Sequence, residues 1–243
     1  GEFGKLLGLD RCPEVKCLRR KIGEIVDQQK ARQFNSELFS HWLDEQHQED
    51  GFYFYIDGHV RVYHGNKATL PKRFVSRQKL CLAGTTEYWV NNEIGMPYLV
   101  VTGHLNEKLK IVIKEQIIPL LIAECKNRVS EELLNNDEQL PRFTIVFDRE
   151  AYEPAFFKWL WDNYRVAVIS YRKNVTNQWP SDEFLPQLTN VIGKTVSMKL
   201  AEQPVELSGM NMREIRKESD NGHQTSIVTT NHKLGLQHIG GRM

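Results

Sequence analysis

No Cys-x-x-Cys pair occurs among the four cysteines Cys12, Cys17, Cys81 and Cys125, and the Cys12–Cys17 spacing has no close histidine partner. That argues against a zinc site and for reduced thiols in a cytosolic protein. No apolar run approaches the roughly 18 residues of a membrane span, and no secretory signal opens the chain. Neither a Gly-x-Gly-x-x-Gly run nor a Walker loop follows any expected strand, which argues against a nucleotide-binding doubly wound domain. The net charge is only +1, so the whole-chain balance carries no statement about nucleic acid. The chain also lacks an initiator Met. Gly1-Glu2-Phe3 reads as a cloning remnant, so a fragment of a longer protein is expected.

One absence is local. Between Gly58 and Thr86 there is no Asp or Glu, while Arg61, Lys67, Lys72, Arg73, Arg77 and Lys79 all fall there with His59 and His64. Such a stretch beside a candidate carboxylate suits phosphate binding, and it equally suits a solvated loop. Arg73, Arg77 and Lys79 are the first choices for contact with a DNA backbone. Elsewhere the composition is that of a globular chain, 40% hydrophobic and 26% charged over 243 residues, enough to bury a real core.

Periodicity divides the chain into four parts. Residues 1–50 read as helical: Val15, Leu18, Ile22 and Ile25 recur at spacings of three and four, and a second stretch over 33–48 aligns Phe34, Leu38, Trp42 and Leu43. The character changes at Gly51. Residues 52–56 are aromatic and β-branched like a buried strand, closed by Asp57-Gly58, and 59–63 form a second strand, so Asp57 is expected at the rim of a hairpin or bulge. Residues 66–84 are expected as loop, and strands follow over 87–90 and 98–102. An amphipathic stretch over 107–134 contains Pro119, which predicts a kink or two helices. The clearest βαβ unit comes next: a strand over 143–147, a helix opening at Pro154 and a strand over 166–171. So short a crossover implies parallel neighbours. Residues 51–173 therefore form an α/β core, 174–230 a β-rich insertion of short runs, and 231–243 a final segment returning to the core.

Two carboxylates stand apart because each closes a buried-strand pattern: Phe-Tyr-Phe-Tyr-Ile-Asp57 and Phe-Thr-Ile-Val-Phe-Asp148. Function gathers beyond the carboxyl ends of strands in open α/β sheets. Two acids brought together there repel, and a cation compensates. Oxygen-only ligands suit Mg²⁺ or Mn²⁺. The competing reading is that each Asp merely caps its strand end.

These motifs carry a resemblance. Tyr55-Ile56-Asp57-Gly58-His59 and the run from Ile145 through Asp148-Arg149-Glu150 to Tyr152 resemble the first and second acidic motifs of insertion-sequence DDE transposases. Arg77-Gln78-Lys79-Leu80-Cys81, the run from Gly84 to Asn91, the run from Leu7 to Lys16, Arg213-Glu214-Ile215-Arg216 and Gly222-His223-Gln224-Thr225 resemble one bacterial subgroup. Their order along the chain is more specific than any one of them. The resemblance implies a ribonuclease-H-like mixed sheet flanked by helices, preceded by the N-terminal helices and carrying the β-rich insertion. It implies Asp57 and Asp148 as catalytic metal ligands, Mg²⁺ or Mn²⁺ as cofactor, and transposon ends and target DNA as partners. A homodimer is left open, no membrane is involved, and the compartment is the bacterial cytoplasm at the nucleoid.

The chain departs from the family at one point. The family carries its third acid, a Glu, on a helix after the insertion, and no Glu follows Asn231 here. Glu214 and Glu218 fall too early. The expectation is that this carboxylate lies beyond Met243 and that the chain alone turns over slowly or not at all. Two alternatives stay open: a nuclease or resolvase of the same fold, and a DNA-binding relative that cuts nothing.

Overall fold

A computed structural model describes residues 13–28, 30–45, 52–76, 78–126, 129–191 and 194–242. The chain divides into two compact units, Gly1–Glu45 and Gln46–Met243. The described part of the first consists of two helices, α1 (Val15–Asp27) and α2 (Ala31–Glu45). The expected end of α2 at residues 46–48, like residues 1–12 with Cys12 and most of the N-terminal motif, lies outside the described residues. Among the described residues no helix is long and apolar enough to cross a membrane.

The second unit is built on one mixed sheet. Its strands are β1 (Tyr53–Val62), β2 (Lys72–Val75), β3 (Leu80–Asn91), β4 (Pro97–His104), β5 (Phe143–Phe147), β6 (Val166–Tyr171), β7 (Leu185–Val191), β8 (Lys194–Leu207), β9 (Met210–Glu218) and β10 (Gln224–Thr229). Their order is β2-β3-β1-β5-β6-β10-β9-β8-β7, with β4 also on β3. β3 pairs antiparallel with both β1 and β4, whereas β1–β5 and β5–β6 are parallel. From β6 onward all pairs are antiparallel. The mixed sheet flanked by helices is thus as the resemblance implies, and the α/β core is as the periodicity predicts. So is the βαβ unit, in which α6 (Pro154–Tyr164) crosses from β5 to β6.

The helices between β4 and β5 are α3 (Leu109–Val112), α4 (Ile118–Cys125) and α5 (Glu131–Asn136). A π-helical turn, Ile113–Ile117, joins α3 to α4, and Pro119 lies in the first turn of α4. Proline has no N–H to donate and clashes with a preceding carbonyl, so the ladder is disturbed just upstream of it.

Alternation along the strands separates two cores. On one face Tyr53, Val146, Ile169, Ile215 and Ile227 pack under Leu234 and Ile239 of the last segment, which contains α7 (Leu236–Gly241). On the other, Phe54 is fully buried and meets Tyr98 and Phe143 edge-on, and Phe147 meets Phe157 of α6. Asn231 turns the chain from β10 into α7. Its amide donates to Thr144 Oγ1 at 2.9 Å, and its oxygen accepts the N–H groups of Lys233 and Leu234, each at 3.0 Å.

Two local expectations are corrected. β1 does not end at Asp57-Gly58. It runs through to Val62, because Gly58 pairs with Tyr88 of β3 and leaves room for that ring: a Cβ at Gly58 would stand 3.1 Å from Tyr88 Cε1. The basic segment is also not all loop. Lys72–Val75 forms β2 against the first residues of β3, and no alternation of buried residues announces it, since only Val75 is buried. The insertion strands, short in the sequence reading, fuse into longer ones that extend the same sheet.

Gly84 pairs with Val62, and a Cβ there would collide with the Arg61 carbonyl. Backbone cannot step aside cheaply, so Gly84→Ala is expected to cost about 1–3 kcal/mol. Urea denaturation measures this, and an unchanged midpoint would show that β1 and β3 are less tightly paired than described.

Candidate active site

The pairing of β1 with β5 decides where the two acids stand. Tyr53, Phe54 and Tyr55 align with Thr144, Ile145 and Val146. Continuing that register by two residues on each strand brings Asp57 level with Asp148. Both then follow Tyr55 and Val146 on the same face of the sheet, because side chains alternate with period two. Adjacent strands lie about 4.8 Å apart. By that extended register Asp57 and Asp148 fall side by side just past the last paired residues, Tyr55 and Val146; both are exposed to solvent, and the charge of each acts on Glu150.

Each acid is held locally. The Gly58 N–H donates to Asp57 Oδ1 at 2.9 Å. Asp148 caps the short helical turn Arg149–Ala151, its Oδ1 accepting the Glu150 N–H at 2.8 Å, and the Ser170 hydroxyl donates to the Asp148 carbonyl at 3.1 Å. Capping, the plain alternative for a strand-end Asp, is thus real for Asp148.

Glu150 joins the pair. Partial burial raises its carboxyl above the ordinary range, and the charges of Asp148 and then Asp57 push it the same way. The Leu109 N–H, donating to it from the start of α3, and the Lys173 ammonium pull it back. On the far side of Gly58, burial and then the charges of Glu150 and Glu107 push the Tyr88 phenol up to about 12, so it stays protonated and donates to the Glu107 carbonyl. Three carboxylates share one end of the sheet, and the sequence pattern singles out only two of them. Glu150 reads there as a helix-start charge.

The other named residues lie further out. His59 and Arg61 follow Asp57 on the exposed side of β1, with Arg61 paired to Glu87 at 2.8 Å. Arg149 stands over the Tyr171 ring at 5.5 Å. Arg73 is exposed on β2 and donates to the Leu105 carbonyl at 3.1 Å. Lys79 is exposed in the turn before β3 at φ 55°, and Arg77 lies outside the described residues. Trp89 pairs with Asp57 across the β1–β3 ladder and is half-buried. Glu214 and Glu218 are buried on β9, away from solvent.

Among the described residues no three His, Cys, Asp or Glu side chains are placed to hold a metal ion together. Two hard carboxylates on one face nevertheless fit Mg²⁺ or Mn²⁺, ions that commonly take one or two protein carboxylates and fill their remaining positions with water or substrate oxygens. The excess negative charge felt by Glu150 is the local imbalance that such a cation relieves.

The shift on Glu150 sets a pH dependence. Its folded-state value is raised, so its contribution to stability is fully present below the ordinary value of 4.5 and is lost as pH rises through the raised one. Glu150→Gln mimics the protonated form. It should gain stability relative to the parent between pH 4 and 7, read from denaturation midpoints without divalent ions. A difference that does not vary with pH would show that the neighbouring acids do not load Glu150.

No curated protein matches the sequence. Among solved structures, the piggyBac transposase synaptic complex with hairpin DNA is similar at 10% identity and a TM-score of 0.40, covering 76% of this chain and 34% of that one. Argonaute of Marinitoga piezophila, in complex with a 5′ OH guide RNA, is similar at 9% identity and a TM-score of 0.32, covering 80% of this chain and 26% of that one. The chain thus spans about a third of the length of the piggyBac chain. A family model described as "Transposase protein" matches residues 1–243, from one end to the other, and the chain belongs to that family of transposases.

Proposed function

We propose that this chain is the catalytic part of a DDE-type DNA transposase with a ribonuclease-H-like core. In this reading Asp57 and Asp148 are its first two acids, and Mg²⁺ or Mn²⁺ is held between them. The observation that supports the reading is the β1–β5 register, which pairs Tyr55 with Val146, each two residues before its acid. The strand order β4-β3-β1-β5-β6, antiparallel on one side of β1 and parallel on the other, fits the mixed sheet expected of that core.

Asp57 and Asp148 would hold the divalent ion, whose chemistry would be to activate the attacking oxygen and stabilise the leaving oxygen of a phosphodiester. The chain's own groups do the rest. Asp57 and Asp148 present oxygens from a stiff sheet, and the Gly58 and Glu150 N–H groups fix one oxygen of each. Lys173 offsets part of the negative charge that Glu150 adds behind them. Arg73, Arg77 and Lys79 are proposed to meet the DNA backbone; Arg73 donates one guanidinium nitrogen to the Leu105 carbonyl, and Lys79 is exposed. The substrates are transposon ends and target DNA, in a bacterial insertion-sequence setting.

The test is a cleavage and strand-transfer assay with the intact protein and its DNA ends. Asp57→Asn or Asp148→Asn is expected to abolish cutting, with far-UV circular dichroism and melting unchanged. Cutting retained in either variant would remove that residue from the site. Nicks that never lead to joining through a 3′-hydroxyl would point to a nuclease instead.

A further inference from the structure

On the face of the sheet opposite Tyr55, behind the Asp148 turn, lies a chain of charges that the proposed chemistry does not use. Arg216 of β9 is 1% exposed and Glu214, two residues earlier, 4%. Arg216 Nε donates to Glu214 Oε1 at 2.8 Å, and its other nitrogens donate to the Asn177 carbonyl and side chain at 2.8 and 2.9 Å. Its guanidinium lies 4.3 Å from the Trp179 ring centre. The Ser226 hydroxyl donates to the same Glu214 oxygen at 2.7 Å, while the second oxygen pairs with Arg172.

Arg172 follows the last residue of β6, next to the strand that ends in Asp148. Its N–H donates to the Ser226 carbonyl at 2.9 Å, so its backbone belongs to the ladder with β10. Its side chain reaches back to the hydroxyl of Tyr152. Tyr152 is the residue that closes the Asp148 turn, its N–H donating to the Arg149 carbonyl at 3.2 Å, and its ring packs edge-on against Phe157 of α6 at 5.5 Å. The chain of contacts runs from β9 of the insertion to the turn that aims Asp148.

Buried ion pairs contribute little net stability when an apolar core could replace them. An Arg-Glu-Arg arrangement with Glu214 and Arg216 buried and Arg172 at its edge is better explained by a geometry it enforces. We propose that Glu214 and Arg172 are positioning residues: acting through the Tyr152 hydroxyl, they hold the Asp148–Tyr152 turn so that the Asp148 carboxylate faces Asp57. The insertion is then part of the machinery that shapes the site, although none of its residues touches the reacting atoms. This rests on the reading of Asp148 as a metal ligand, but the brace itself is a separate statement about the turn.

Tyr152→Phe is the sharpest variant, because it deletes one hydroxyl and keeps the packing against Phe157. Hydrogen–deuterium exchange of the peptide over 148–153 is measured on the full chain, with Mn²⁺ binding followed by electron paramagnetic resonance. The expected result is exchange at 149–152 faster by about tenfold. Mn²⁺ affinity should fall by about tenfold, the size typical of residues that orient a metal ligand, with an unchanged melting temperature. Arg172→Lys, which keeps the charge and loses the planar fork, should behave in the same direction. Unchanged exchange at 149–152 in Tyr152→Phe would overturn the brace. Asp148→Asn separates the two failures. If it weakens Mn²⁺ binding and Tyr152→Phe does not, the brace is wrong and the metal reading stands. If the parent chain binds no Mn²⁺, the metal reading fails for this chain, and the exchange data alone decide the brace.

Discussion

Parallel pairing between β1 and β5 is the contact on which the site depends. A slip of one residue would turn every side chain of β1 to the other face. It would send Asp57 to the face where Phe54 and Ile56 are buried, and Ile56 toward solvent. The register is secured from both sides. Tyr53, Val146 and Ile169 share one core, and Phe54 with Phe143 shares the other. Two independent apolar faces therefore vote for the same alignment. The position of the acids follows from packing that lies two to five residues upstream of them.

Next to that alignment, the polar fixtures are small and local. Gly58 serves twice: its N–H holds Asp57, and its missing Cβ admits Tyr88. Tyr88 in turn donates to the Glu107 carbonyl just before α3, and the first N–H of α3 holds Glu150. The helices between β4 and β5 are in this way tied to the acidic end of the sheet by hydrogen bonds as well as by burial. Asn231 does the same for the last segment on the opposite face.

Much of the core was legible in the sequence because its elements are buried on both faces. A continuous apolar run such as Phe143–Phe147 announces itself, and Pro154 marks the following helix. The two acids were legible for the same reason, as polar stops to apolar runs. What escaped has a physical cause in each case. β1 continues past Asp57 because β3 supplies a partner, which no local pattern at Asp57-Gly58 could reveal. β2 is an edge strand with three exposed residues, so it lacks the alternation that marks a strand. Glu214 and Arg216 look like solvent-facing charges of a hairpin, and only the fold brings Arg172, Asn177 and Trp179 around them. Glu150 reads as a helix-start charge until the register brings Asp57 beside it.

The insertion does not hang from the core on a hinge. Its strands continue the ladder from β6 through β10, β9 and β8 to β7 without a break in pairing. β8 is 14 residues long; its first half pairs with β7 and its second half with β9. In mechanical terms this is a cantilever rather than a flap. A load at the β7–β8 tip is carried in shear by rows of backbone hydrogen bonds acting together, and close-packed interiors pass strain on instead of absorbing it. Force applied there would arrive at the carboxyl end of β6 as a small twist of the whole sheet, shifting the angle between two strands and not the distance between two domains.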